Sequence, residues 1–396
     1  MIAKDDIVIR KSILHILDTT HARCLLSDHL LDPGPDLYEF IRTHIYKIVS
    51  SDDTKDCEFN PDTSPVYELL SEWDEGNDES FIKTSQDIAG RLYDTMTEGM
   101  DIPPADLLFV SFQAEGQIYL ALLKMNYRES YTHEISEILT PERENADEGT
   151  AHSGSIDAVD SDTNAPYEDS IDTIESEAGS PHADGIDTFE YNNIVPSRSA
   201  NIRKTSALLP AAGSRIPEAI IINLTDLHIR LLEKRYEING EKVFYLSERF
   251  LVCHTSLPPR KKLNILTKVI NQISNKYDGA DLKTKMDTKS ALQKEYVDRQ
   301  SFNVEEIGTA LFGNSPEKKA EYDEKMEEYD LQYDDFSVLN ESTVKKLEKQ
   351  IMVTDSGIEI SIPMEVYNKL ANVEVSTDVT GKSTIIIRNI DNLILK

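Results

Sequence analysis

The chain has 396 residues, and its 72 acidic side chains against 41 basic ones give a net charge of −31. That length suits two or three domains, and no stretch approaches the roughly 20 consecutive apolar residues of a membrane-spanning helix. The first residues lack the apolar core of a secretory signal, and three widely spaced cysteines support neither a zinc site nor a disulfide framework, so we expect a cytoplasmic protein without metal or cofactor.

The first 132 residues combine strand and helix patterns. Residues 6–30 are rich in β-branched and apolar side chains and predict two strands joined near Asp18. Apolar and aromatic residues at helical spacing predict helices over 37–49 and 79–96. Residues 106–127 consist of two apolar runs around Gly116 and predict a β-hairpin whose turn needs a positive φ.

An acidic segment follows. Residues 132–200 hold 17 Asp and Glu against two Arg, are poor in aromatic residues and have no periodicity. Such a composition buries too little apolar surface to offset the entropy of ordering, so we expect 133–200 to be a disordered acidic insertion. Strand patterns resume after it, and we therefore assign 1–132 and 201–240 to one amino-terminal domain.

The rest of the chain predicts first helices and then strands. Residues 241–330 show helical patterns, beginning at about Val243, and form a helical region. Residues 331–396 contain two strand pairs with Gly-containing turns and form a small β-containing carboxyl-terminal region. The predicted fold class is α/β in the α+β sense: a mixed or antiparallel sheet with helices, a helical middle and a small β tail.

Two patterns superficially resemble catalytic or metal-binding motifs. Gly381-Lys382-Ser383-Thr384 lacks the earlier glycine of a phosphate-binding loop, because position 376 is Ser, and strands on both sides predict a hairpin turn. Three histidines and two acids near the amino terminus could in principle converge on a metal: His15, His21, His29, Asp18 and Asp28. We favour the interpretation that the histidines are ordinary strand-surface residues. No pattern predicts a catalytic nucleophile, so we expect a protein that is not an enzyme.

Residues 251–300 differ from the rest of the chain in charge. They hold ten Lys and Arg against five Asp and Glu. In the helix predicted after Pro258-Pro259, an apolar arc that includes Leu263 and Ile270 lies nearly opposite a basic arc that includes Lys261 and Lys268. This face is either the solvated side of an amphipathic helix or a surface for a negatively charged partner.

The basic surplus continues into the next helix, which favours the second interpretation, because clustered cations attract phosphate backbones without demanding a special geometry. We therefore predict non-specific contacts to DNA phosphates. The predicted contact residues are Arg260, Lys261, Lys262, Lys268, Lys276, Lys283, Lys285 and Lys289.

Several blocks of the chain, in order, carry a resemblance to a known family. They are LLKMNYRESYTH (122–133), AIIINLTDLHIRLLEKRYEINGEKVFYLSERFLVC (219–253), IGTALFG (307–313), TDSGIEISIPMEVY (354–367) and TIIIRNI (384–390). With these blocks the chain resembles the bacterial nucleoid-associated proteins of the NdpA/YejK type, over nearly its whole length outside the acidic insertion. The resemblance implies a nucleoid protein that associates with DNA without strong sequence preference, and it implies no catalytic residues.

The acidic insertion and the negative net charge depart from what DNA binding requires, and they leave two other functions open. One is an interaction protein, such as an accessory component of a DNA-transaction or phage-defence system, that reaches the nucleoid through a protein partner. The other is a nuclease without a recognisable motif. In each case we expect a homodimer in the cytoplasm, at the nucleoid, with no membrane contact.

Overall fold

The computed structural model describes residues 2–71, 73–99, 101–136, 199–211, 213–279, 282–369, 372–378 and 381–392. Two units separate within the chain. One consists of 1–129 with 206–396, and the other of 130–205, of which the described part is two paired strands. Most of the predicted acidic insertion, 137–198, lies outside the described residues, so its expected disorder stays a prediction.

The secondary structure comprises eighteen strands and nine α-helices among these residues, with a short 3-10 helix (Lys4–Asp6) and a π-helix (Leu246–Leu251). The strands are β1 (Val8–Asp18), β2 (Arg23–Leu25), β3 (Lys55–Phe59), β4 (Ala105–Ala114), β5 (Gln117–Asn126), β6 (Arg128–Ser136), β7 (Ser199–Leu208), β8 (Glu218–Asn223), β9 (Ile229–Leu232), β10 (Tyr236–Ile238), β11 (Glu241–Val243), β12 (Cys253–Thr255), β13 (Phe302–Asn303), β14 (Asp335–Phe336), β15 (Lys349–Val353), β16 (Glu359–Pro363), β17 (Val373–Thr377) and β18 (Ser383–Ile387). The helices are α1 (Pro35–Val49), α2 (Pro65–Ser71), α3 (Asp78–Thr97), α4 (Pro259–Asp278), α5 (Leu282–Arg299), α6 (Val304–Phe312), α7 (Pro316–Glu328), α8 (Glu341–Glu348) and α9 (Met364–Asn368). None of the helices in the described parts of the chain combines the length and the apolar character that crossing a membrane requires.

An eight-stranded sheet is the centre of the larger unit. Its order is β12-β3-β9-β8-β5-β4-β1-β2, and every neighbouring pair is antiparallel. The two edge strands have three residues each, which leaves little unpaired backbone for another chain to join. The predicted α+β class with an antiparallel sheet is confirmed.

Both faces of this sheet are covered. Because side chains alternate along a strand, Leu107 and Phe109 of β4 point to one face and Leu108 and Val110 to the other. The first face packs against α2 and α3, and the second packs against α1. The alternation therefore builds two separate apolar cores, one on each side of the same strands.

The predicted hairpin over 106–127 is formed by β4 and β5. They pair in register from Ala105 opposite Asn126 to Ala114 opposite Gln117. The two turn residues both have positive φ, 49° at Glu115 and 78° at Gly116, as a two-residue hairpin turn requires. Glycine takes the second of these positions without steric cost.

The helical part of the same unit has its own core, built from α4 to α8. Within this core, α6 and α7 pack closely against each other. A Cβ added to Gly308 would lie 2.2 Å from Cε1 of Tyr322, and the Tyr322 hydroxyl donates a hydrogen bond of 2.7 Å to the carbonyl oxygen of Val304. Only glycine lets the tyrosine ring lie against the α6 backbone here, which gives the IGTALFG block a packing role.

The carboxyl-terminal region contains more helix than the sequence indicated. β15 pairs with β16 and β17 with β18, as expected, and Gly381 with φ of 82° lies in the segment joining the second pair. The helices α8 and α9 were not predicted. Met286 of α5 packs with the strands and α9 in a small fourth core, so this region rests on the helical part.

Two predicted stretches differ from the structure at their limits. The helix expected from about Val243 is instead β11, a six-residue π-helix and β12, and β12 is an edge strand of the large sheet. Val252 ends the π-helix in the left-handed region with φ of 49°. Residues 133–136 and 199–200, placed in the disordered insertion, belong to the paired strands β6 and β7.

The turn between α1 and β3 connects the sheet to the helical part. The Asp52 carboxylate is fully buried and accepts hydrogen bonds from the backbone N–H groups of Leu339 (2.6 Å) and Asn340 (3.0 Å) and from the Thr343 hydroxyl (2.6 Å). The Asp52 carbonyl oxygen accepts a further hydrogen bond of 3.0 Å from the N–H of Arg260. One residue of the sheet domain thus satisfies donors at the starts of both α4 and α8.

Replacing Asp52 tests this connection. Asp52→Ala leaves three donors without their acceptor, and we expect it to lower the free energy of unfolding by about 2 to 4 kcal/mol. Asp52→Asn retains one carbonyl oxygen as acceptor and should cost less. Urea denaturation followed by circular dichroism measures both, with the exposed Asp101→Ala as the matched control. Equal stability of Asp52→Ala and Asp101→Ala would contradict the proposed connection.

Candidate nucleic-acid interface

The basic face lies on α4, a 20-residue helix that begins at Pro259. Proline is favoured in the first helical turn because its missing N–H is not needed there. Leu263, Leu266 and Ile270 are buried in the helical core, which fixes the rotation of the helix. The opposite side of α4 therefore faces solvent.

Lys261 and Lys268 occupy that solvent side. They are separated by about 20° around the helix and lie roughly 140 to 180° from Leu263 and Ile270. Both side chains are exposed, and neither has an ion-pair partner among the described residues. Their charges are available to an external anion.

The two other cations in the first turn of α4 are already engaged. Arg260 Nε lies 3.2 Å from Oδ1 of Asp53, on the turn that also carries Asp52. Lys262 Nζ lies 2.8 Å from Oδ2 of Asp334 and over the Phe336 ring, and its side chain is only 13% exposed. These two side chains attach α4 to its neighbours and have little charge to offer a partner.

Lys276 and Lys289 are engaged as well. Lys276 Nζ lies 2.7 Å from Oε2 of Glu321 on α7, and the hydrogen bond that it donates to that carboxylate raises the pKa of Lys276. Lys289 donates to the Lys349 carbonyl oxygen at 2.8 Å and to Oε1 of Gln350 at 3.1 Å, and burial lowers its pKa. Lys289 therefore holds α5 against β15.

The remaining two predicted residues, Lys283 and Lys285 on α5, are exposed and have no ion-pair partner in the part of the chain that the structure describes. Lys294, which was left out of the predicted set, is also exposed. It follows Lys283 by eleven residues, so the two side chains lie about 20° apart around the helix. That spacing was visible in the sequence and identifies a second line of free cations.

The structure thus divides the predicted residues into two groups. The free lysines are Lys261, Lys268, Lys283 and Lys285, and the engaged cations are Arg260, Lys262, Lys276 and Lys289. We call the first four, with Lys294, the free lysine set. They lie on two consecutive helices that share one core. Such a set can neutralise phosphates, but it offers no acidic or nucleophilic group for chemistry.

The histidines near the amino terminus are occupied locally. His15 is buried, with Nε2 3.0 Å from the Ser85 hydroxyl and Nδ1 accepting from the Ser27 N–H. His21 bonds Asp18 at 2.7 Å, and His29 bonds Asp28 at 2.5 Å. Across the described residues, no three potential ligands come together at one point. His21 and His29 are exposed but lie in the turn between β1 and β2 and in the segment after β2, not on strands, whereas His15 belongs to the core.

Comparison with known proteins identifies a family that matches this chain. The family described as nucleoid-associated protein YejK matches residues 13–394, which is nearly the whole chain and includes both basic helices. None of the curated proteins matches the chain. The match includes the acidic segment as well as the sheet, so the same family spans both units.

The division into free and engaged lysines can be tested on two adjacent residues. Lys262→Ala removes the ion pair to Asp334 and the packing on Phe336, and we expect it to lower the free energy of unfolding by about 1 kcal/mol. Lys261→Ala, with the same change in charge and composition, should leave stability unchanged. Thermal melting of the two variants measures the difference. If Lys261→Ala is as destabilising as Lys262→Ala, the division is wrong.

Proposed function

Because the chain belongs to the family of nucleoid-associated protein YejK, we propose that it binds duplex DNA at the nucleoid through phosphate contacts of the free lysine set. The protein acts as a binding protein and carries out no catalysis. Lysine ammonium groups at the ends of flexible side chains contact phosphates as point charges and do not read base edges. Binding is therefore independent of sequence.

The observation that carries this proposal is which cations of α4 and α5 have an ion-pair or hydrogen-bond partner and which do not. In a chain with a net charge of −31, acidic partners are plentiful. Three of the eight predicted cations pair with an acid, and a fourth, Lys289, donates to a carbonyl and an amide oxygen. The free lysine set has no such partner within the described residues, although it lies on the most basic stretch of the sequence. A solvated helix face in so acidic a protein is expected to carry acids among its lysines, and the line through Lys261 and Lys268 does not.

The dependence of DNA affinity on salt tests the proposal. Each phosphate contact contributes about −0.9 to the slope of log K against log salt. The variant Lys261→Ala/Lys268→Ala/Lys283→Ala/Lys285→Ala should therefore reduce the magnitude of the slope by about 3 to 4 units, equally for unrelated duplexes. Fluorescence anisotropy over a salt series measures it.

A matched control separates local contacts from net charge. Lys83, Lys242, Lys346 and Lys382 are exposed and lie outside α4 and α5. Their fourfold replacement by alanine changes the net charge by the same amount, and we expect it to leave the salt slope unchanged. Equal slopes for the two fourfold variants would assign any effect to overall charge and remove the free lysine set as the interface.

A second candidate function is an interaction protein that reaches the nucleoid through a protein partner. The observation that favours it is the acidic segment, since 17 Asp and Glu within 132–200 oppose DNA and suit a basic protein surface. Under the first proposal, the same segment competes with DNA for the free lysine set as a tethered phosphate mimic. The expected homodimer stays a prediction, and analytical ultracentrifugation tests it.

Deleting the segment distinguishes these two roles. In this variant, a short Gly/Ser linker replaces residues 137–198 and connects Ser136 of β6 to Ser199 of β7. If the segment competes with DNA, the deletion variant should bind non-specific duplex more tightly at moderate salt. Unchanged or weaker DNA binding would contradict competition and favour a protein partner. Loss of thermal stability in the deletion variant would show a structural role instead.

A further inference from the structure

The strand β18 forms one edge of a two-stranded sheet and pairs with β17. Just after the strand, the N–H of Arg388 donates a hydrogen bond of 2.8 Å to the carbonyl oxygen of Asn372. In an antiparallel pair, the backbone groups of successive residues point alternately toward the partner strand and away from it. Counting back from Arg388, the N–H and C=O groups of Ser383, Ile385 and Ile387 therefore point away from β17. No strand pairs with this side of β18 in the part of the chain that the structure describes.

The side chains along this edge are apolar and partly uncovered. β18 has the sequence Ser-Thr-Ile-Ile-Ile and contains no charged residue. Ile385 and Ile387 lie on the face of the hairpin that carries Val373 and Val375 into the small fourth core, yet Ile387 is 52% exposed. Ile386, on the other face, is 37% exposed. An open apolar edge of this kind is a template for another strand, and soluble proteins normally shorten or block it.

Several other strand edges of the larger unit are protected in these ways. The edge strands of the large sheet have three residues each. On β15, the carbonyl oxygen of Lys349 accepts a hydrogen bond of 2.8 Å from the Lys289 ammonium group. The next outward carbonyl oxygen, that of Ile351, accepts one of 2.9 Å from the Gln350 side-chain amide. β16 ends at Pro363, which has no N–H to offer. β18 shows none of these features within the described residues, which indicates that another chain covers its edge.

From these features we propose that β18 pairs with β18 of a second copy of the chain. The two strands run antiparallel around a twofold axis, so that two β17/β18 hairpins form one four-stranded sheet. In the register centred on Ile386, Ile385 of each copy lies opposite Ile387 of the other. Each half-exposed Ile387 is then covered by a residue that packs on the fourth core. Each copy also supplies the outward N–H and C=O groups that the other needs.

The charges around β18 favour a second copy as the partner. Two chains that each carry a net charge of −31 repel one another, so they need a locally neutral surface in order to associate. The strand itself is uncharged, and Arg388 after it is paired with Glu374 of β17 at 2.6 Å. Lys382 precedes the strand and Asp391 follows it, and both are exposed without an ion-pair partner among the described residues. Antiparallel pairing brings the start of one strand beside the end of the other, so Lys382 lies near Asp391 of the second copy, twice around the axis. Such exposed pairs add little affinity, but they select this orientation.

Sedimentation velocity of the full chain tests this interface, and the unaltered protein should be a dimer at micromolar concentration. Ile387→Lys places a charge at the open edge, as natural edge strands do. It should weaken dimerisation by at least about 100-fold, because each substitution acts twice across a twofold interface. Ile351→Lys is the matched control: it makes the same change at a position of β15 that is 48% exposed, and it should leave dimerisation unchanged. Circular dichroism verifies that both variants keep the fold.

Cysteine cross-linking tests the register. In the proposed pairing the two Ile386 residues face each other at a non-hydrogen-bonded position, where Cα atoms are about 4.5 Å apart and a disulfide can form. Oxidation of the Ile386→Cys variant with copper phenanthroline should therefore give a disulfide-linked dimer, whereas the Ile351→Cys variant should not. The proposal is overturned by a monomeric unaltered protein, by a dimer that Ile387→Lys weakens no more than Ile351→Lys does, or by failure of Ile386→Cys to cross-link. None of these outcomes depends on DNA binding, so the interface and the proposed function stand or fall separately.

Discussion

The turn between α1 and β3 is held from two sides, and the arrangement of the larger unit depends on it. From the sheet, the partly buried Arg230 of β9 donates to the Val49 carbonyl oxygen at 2.5 Å and to the Thr54 hydroxyl at 3.1 Å. From the helical part, donors at the starts of α4 and α8 converge on Asp52. Because these polar groups satisfy one another, the turn cannot move without breaking hydrogen bonds on both sides.

Ion pairs formed by this turn and by the helical part determine which cations remain without an acidic partner. Asp53, next to Asp52, engages Arg260 and Arg215, while Asp334 and Glu321 engage Lys262 and Lys276. In so acidic a chain, a cation remains free only where the fold keeps acids away. The outer side of α4 meets this condition because its inner side is committed to the helical core. Charge segregation in this protein is thus a consequence of packing.

Local periodicity was sufficient to predict elements that bury one face or alternate regularly. The helices α1 and α3 and the β4/β5 hairpin are such elements, and the sequence also predicted the antiparallel α+β class. It could not predict β12, whose three residues are a strand because they pair with β3, nor the short helices α2 and α8. At the candidate interface, the residue types identified the basic helices. The engagement of Lys262 by Asp334 depends on tertiary contact, which spacing along α4 does not encode.

The strand order also determines which parts of the sheet can form first during translation. The strands β2, β1, β4 and β5 are neighbours and all lie within the first 126 residues, so half of the sheet can form early. The next strand, β8, is made much later: Lys124 and Glu218, which pair across β5 and β8, are 94 residues apart. At about 5 to 20 residues per second, β5 remains an open edge for on the order of 5 to 20 s during translation. The acidic segment occupies most of that interval, and like charges on neighbouring chains oppose association through an exposed strand edge.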